Sequence, residues 1–163
     1  MTKYHLLFKA DFESVESLIF PVDHDWIFDF QCPSSLEKRN GVVVSQTALV
    51  EIPDSRSTAN LCLKFPGSSK PASICVQSIE NTTRDSVLSA DSGTFVPILA
   101  LECRGAEPLA WHPSGYYLAT AQDSHTKFNQ VDLKTGDWCD FDEISDAAVG
   151  IYNVEWKITK SLK

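Results

Sequence analysis

The groups in this 163-residue chain that could do chemistry are five cysteines, four histidines and two sets of carboxylates. Structural zinc calls for four soft ligands on short hairpin knuckles, usually two C-x-x-C pairs, because each knuckle brings two thiolates within tetrahedral reach. Cys32-Pro33-Ser34-Ser35 and Cys62-Leu63-Lys64-Phe65 each carry the first cysteine of such a pair and lack the second. Taken on their residues alone, Cys32 and Cys62 are small core residues. Five widely spaced cysteines do not make the even-numbered framework of a disulfide-stapled secreted domain, and a reducing cytosol would keep them as thiols.

The remaining candidates are weaker. His5, His24, His112 and His125 stand in no triad context, no G-x-S-x-G elbow is present, and His112-Pro113-Ser114-Gly115 reads as a turn. Glu102 and Glu107 could be a glycosidase-type acid pair, but nothing fixes their separation, and Arg104 between them is a natural partner for a strand-end carboxylate. Asp137, Asp140, Asp142, Glu143 and Asp146 lack the D-x-D-x-D-G order of a calcium loop and read as a solvated acidic face able to receive a partner. With no nucleophile, base or phosphate loop to assemble, the chain is not expected to be an enzyme.

The elements that must position these residues are strands. In Trp26-Ile27-Phe28-Asp29-Phe30-Gln31-Cys32 the period is two, so Trp26, Phe28, Phe30 and Cys32 share one apolar face. A polar turn is expected at Lys38 to Gly41, then a β-branched run from Val42 towards Ile52. Residues 60–65 and 73–79 flank a Pro-Gly loop as a hairpin in which Leu61, Leu63 and Phe65 face away from Cys62 and Lys64. Phe95 to Cys103 is apolar on both faces and so central. Tyr152 to Thr159 alternates as a strand with one wet face should. No stretch holds a 3.6-residue period beyond one possible turn around Asp142 to Ala148.

The fold class is therefore all-β and mainly antiparallel with little helix, a single compact domain over residues 1–163. Shifting the N-terminal part by about 91 positions sets Leu7 on Ile98, Phe8 on Leu99, Phe20 on Trp111 and Trp26 on Tyr117. This suggests two similar sandwich- or barrel-like halves, 1–85 and 94–163, joined by a polar connection at 86–93. The stretch Glu102-Cys103-Arg104-Gly105-Ala106-Glu107-Pro108 would be the corner where the second half turns, with Gly105 allowing the bend, Pro108 ending the pairing and Arg104 tying neighbouring carboxylates.

A net charge of -8 repels a phosphate backbone, no apolar run approaches the length of a membrane span, and Lys9 and Asp11 interrupt any signal-peptide core. Neither nucleic acid nor membrane is expected as a partner, the location expected is the cytoplasm or nucleus, and the sequon Asn81-Thr82-Thr83 is accidental on that reading.

The same corner stretch, with Gly136-Asp137-Trp138, Asp140-Phe141-Asp142-Glu143, Val149-Gly150-Ile151-Tyr152, and Pro53-Asp54-Ser55-Arg56 before Ala59-Asn60-Leu61, resembles the eukaryotic CXXC-motif-containing zinc-binding protein family along nearly the whole chain. The resemblance implies two C-x-x-C zinc pairs at Cys32 with Ser35 and at Cys62 with Phe65. Serine is a poor ligand and phenylalanine none, so the implied cofactor, zinc, is expected to bind weakly or not at all unless Cys75 or a histidine completes the set. The expectation is a divergent, monomeric, non-enzymatic binding or adaptor protein with a protein partner, in which Cys32 and Cys62 remain neighbours able to form a disulfide. The alternative is a thiol-redox or metal-handling protein using that pair.

Overall fold

The computed structural model describes residues 2–79 and 82–161, so Asn81 of the sequon lies outside the described residues. The chain is built almost wholly of strands: β1 (Thr2–Glu13), β2 (Val15–Ile19), β3 (Asp25–Gln31), β4 (Lys38–Ser45), β5 (Val50–Glu51), β6 (Thr58–Ala59), β7 (Leu61–Leu63), β8 (Ala72–Gln77), β9 (Ser86–Leu88), β10 (Val96–Arg104), β11 (Glu107–His112), β12 (Tyr117–Ala121), β13 (Lys127–Val131), β14 (Trp138–Asp142) and β15 (Ala147–Lys160). The described helix is one 3₁₀ turn at Ser89–Asp91. The helical turn considered near Asp142 is instead the tight connection of the β14–β15 hairpin.

The strands form a six-stranded sheet, β14-β15-β1-β10-β8-β7, a three-stranded sheet, β11-β3-β4, a four-stranded sheet, β13-β12-β2-β9, and the small arm β5-β6. The long strands β1 and β10 pair antiparallel at the centre of the largest sheet, with Tyr4 opposite Leu101 and Leu6 opposite Leu99. Its strand order reads the same when β1 exchanges with β10, β15 with β8 and β14 with β7. Exchanging β2 with β11, β3 with β12 and β4 with β13 likewise carries β11-β3-β4 onto β2-β12-β13. Thus β11 joins the sheet of β3 and β4, and β2 joins that of β12 and β13.

Period-two patterning explains the layers. Leu6, Phe8 and Ala10 of β1, Trp26, Phe28 and Phe30 of β3, and Trp111 of β11 are buried in one continuous core that also takes Leu133 from the β13–β14 connection and Val149 and Ile151 from β15. At its centre Phe8, Phe20, Trp26, Trp111 and Tyr117 meet ring to ring, with Phe8–Phe20 edge-on at 5.4 Å and Phe20–Trp26 stacked at 5.8 Å.

Four local expectations are corrected. Lys38 to Gly41 is the start of β4, not a turn; Gly41 has φ +64° beside a register shift, where its N–H bonds Asp29 at 2.9 Å. The connection at 86–93 contains β9, paired through Ser17–Leu88 to β2. Pro108 does not end pairing but sits within β11 opposite Phe30, next to a bulge that accommodates its missing N–H. Arg104 is exposed and, among the described residues, ties no carboxylate; Glu102 is held by Gln77 Nε2 at 2.9 Å.

Candidate functional site

β3 delivers Cys32 buried, as its parity requires, and the chain then reverses in a tight turn in which Leu36 N–H donates to the Cys32 carbonyl at 2.8 Å and Cys32 N–H to that of Glu37 at 2.8 Å. The thiol shares a hydrogen bond with Ser34 Oγ at 3.3 Å. The Ser34 and then the Ser35 hydroxyl contacts lower its pKa to about 7.

The second half of the expected pair is elsewhere. Cys62 stands on β7 opposite Ser73 of β8, with its Sγ 3.9 Å from the carbonyl of Glu51, on the other face of the strand from buried Leu63. Among the described residues the thiol that interacts with it is Cys75, not Cys32. The turn that faces the Cys32 turn begins three residues later: Phe65-Pro66-Gly67-Ser68 is closed by Ser68 N–H to Phe65 carbonyl at 3.0 Å. Glu37 bridges the two turns by accepting from Gly67 N–H at 2.9 Å, and Arg39 adds a bond to the Lys64 carbonyl at 2.9 Å. The two knuckle-like turns therefore carry Cys32 and Ser35 on one side and Phe65 and Ser68 on the other. Strand parity, which sends Phe65 and Cys62 to opposite faces, is the sequence signal that separates them.

Zinc does not fit this set. One thiol, two serine hydroxyls and a phenyl ring offer a single good donor, and Phe65 is buried to 1% exposure as part of the core. Among the described residues no group of three or more His, Cys, Asp or Glu is placed to hold a metal. Cys75 does not complete the site: its Sγ lies 3.8 Å from the Thr58 carbonyl, and burial raises its pKa. Burial likewise pushes the Cys103 thiol up to about 12.

The other sequence candidates resolve into structural roles. Asp142 is buried and accepts from Ser124, from Thr126 Oγ1 at 3.0 Å, from Ser145 Oγ at 2.7 Å and from Ile144 N–H at 3.1 Å, so hydroxyl donors, Ser124 first, lower its pKa to about 2. His112 pairs with Asp29 at 2.9 Å and His125 with Glu16 at 3.3 Å, while burial lowers the pKa of His24, which meets Trp26 edge-on and Tyr117 at a tilt. Around Asp142 the surface is different in kind. The edge strand β14 and its hairpin expose Phe141 and Ile144 among Asp137, Asp140, Glu143 and Asp146, and no Lys or Arg occurs from 135 to 156.

Comparison with known proteins follows the whole length of the chain. Residues 5–159 match the model of the CXXC motif containing zinc binding protein, eukaryotic. A UPF0587 protein of Schizosaccharomyces pombe is 30% identical over 165 residues, covering 99% of this chain and 100% of that protein. The human CXXC motif containing zinc binding protein is 29% identical over 168 residues, covering 98% and 99%. Among solved structures, a hypothetical protein from Plasmodium falciparum superposes with a TM-score of 0.89 at 28% identity over 98% of this chain and 100% of that one. The crystal structure of C1orf123 gives 0.86 at 26% identity over 98% and 99%.

Proposed function

The chain belongs to the eukaryotic family of CXXC motif containing zinc binding proteins, and from that premise we propose that it is a non-enzymatic adaptor which has given up the family's metal and works by binding another protein. The observation that carries the reading is the β14–β15 hairpin, where Phe141 is 49% and Ile144 77% exposed in a wholly acidic setting. Large side chains left in water on an edge strand offer apolar contact and free backbone groups, and the surrounding carboxylates select a basic partner and repel nucleic acid. Packing of Phe65 supports the metal-free part of the proposal, since a ring buried in the core holds its turn without coordination.

The test is a quantitative pull-down from the cells of origin with the wild-type protein and with Phe141→Asp/Ile144→Asp. Adaptor function by this surface requires a partner retained by the first, lost by the second and weakened by salt. An identical set of retained proteins would sink it. The thiol-based alternative built on Cys32 and Cys62 has no support from the placement of their side chains.

A further inference from the structure

Cys62 and Cys75 stand on the same face of adjacent antiparallel strands. Cys62 is opposite Ser73, and Cys75 is the next residue along β8 with its side chain on that face. Both are partly exposed, and the Cys62 thiol is close enough to Cys75 to add to the rise that burial imposes on the Cys75 pKa. Their thiols also share a roof. Cys62 Sγ approaches the Glu51 carbonyl at 3.9 Å and Cys75 Sγ the Thr58 carbonyl at 3.8 Å, and Glu51 and Thr58 are paired on one rung of the β5-β6 arm. The arm's loop, with Asp54, Ser55 and Ser57, walls a cleft of about 540 Å³ whose floor includes Cys75, Glu102 and Arg104. Elsewhere the arm is anchored by Asn60, whose amide donates to the Ala48 carbonyl at 2.8 Å and accepts from Val76 N–H at 2.6 Å.

We propose that Cys62 and Cys75 are a peroxide-oxidisable dithiol whose closure to a disulfide releases the β5-β6 arm from the face of β7 and β8. Diagonal neighbours on an antiparallel pair are about 7–8 Å apart, slightly beyond relaxed disulfide spacing, so one strand must shift to close the bond. β7 can do so, being a three-residue edge strand bonded on one side only. In the first step Cys62 sulfur attacks hydrogen peroxide: the S–O bond forms, the O–O bond breaks, and water leaves to give a sulfenic acid. Cys75 sulfur then attacks that sulfur, forming S–S, breaking S–O and releasing a second water. Two thiols supply the two electrons and two protons that peroxide takes up. Both S–H donors to the arm disappear in the product, and the strain of the diagonal bridge makes it readily reducible.

The experiment treats the reduced full-length protein with stoichiometric hydrogen peroxide, alkylates the remaining thiols and maps non-reduced peptides by mass spectrometry, alongside tryptic cleavage at Arg56 in the arm. The expected result is a Cys62–Cys75 bridge as the main linkage, reversed by dithiothreitol. Tryptic cleavage at Arg56 should rise several-fold on oxidation and fall back on reduction. In Cys75→Ser the bridge should be replaced by a dimedone-trappable sulfenic acid at Cys62, and Arg56 cleavage should not respond to peroxide. Linkage mainly through Cys32 or Cys139, or no linkage at all, would overturn the pair. Equal Arg56 cleavage in the bridged and reduced forms would overturn the release of the arm.

Discussion

Replacing Phe65 by Ala tests whether packing has taken over from metal at the second turn. Phe65 is 1% exposed at the end of a short edge hairpin, and Gly67 two residues on carries the Glu37 bridge to the Cys32 turn. Truncating a buried phenylalanine typically costs about 3–5 kcal/mol, from lost transfer energy and the cavity left behind. For a chain of this size that lowers the melting temperature by roughly 10 °C. Urea unfolding followed by both tryptophan fluorescence and far-UV circular dichroism measures the loss and checks that the transition stays two-state. Phe141→Ala on the exposed hairpin is the internal control and should cost less than about 1 kcal/mol. A Phe65→Ala loss no larger than that of the control would refute the idea that the ring holds the turn.

Two further outcomes follow from side chains with one evident role each. Asp142 has a folded pKa depressed to about 2 by its hydroxyl donors, so the stability it confers is complete above the ordinary carboxylate range and is lost as pH falls from there through about 2. Urea midpoints measured from pH 5 downwards should therefore drop for the wild type and be flatter for Asp142→Asn, and parallel curves would remove Asp142 from the account. A Cβ on Gly150 would collide with the Tyr152 ring, so Gly150→Ala should destabilise by about 1–3 kcal/mol, and Gly150→Ala/Tyr152→Ala should recover part of that loss.

Much of the scaffold was legible because burial and parity coincide. The alternation from Trp26 to Cys32 sets the inward face of β3, and the two-sided apolar run from Val96 to Leu101 marks a central strand. The offset of about 91 residues sets Trp26 of β3 on Tyr117 of β12, and both enter the aromatic core. What the sequence could not settle was register across a degenerate motif. Counting from the cysteine put the second turn at Cys62 to Phe65, whereas the Pro66-Gly67 reversal puts it at Phe65 to Ser68, and with only one thiol left there is no ligand pattern to choose between them. Lys38 to Gly41 departs from the expected turn for a related reason: a glycine at positive φ marks a bulge in β4 as readily as a turn, and only the Asp29 acceptor across the sheet decides. Arg104 does not take the expected carboxylate because charge sign alone says nothing about reach, and Gln77 reaches Glu102 from the adjacent strand.

The central claim, that this member of a zinc-binding family holds its fold without zinc, is tested most directly by elemental analysis of protein purified without chelator and with zinc supplied in the growth medium. The account predicts a zinc content far below one ion per chain in folded, monodisperse protein. A full equivalent of zinc, retained through dialysis and lost only on unfolding, would contradict it.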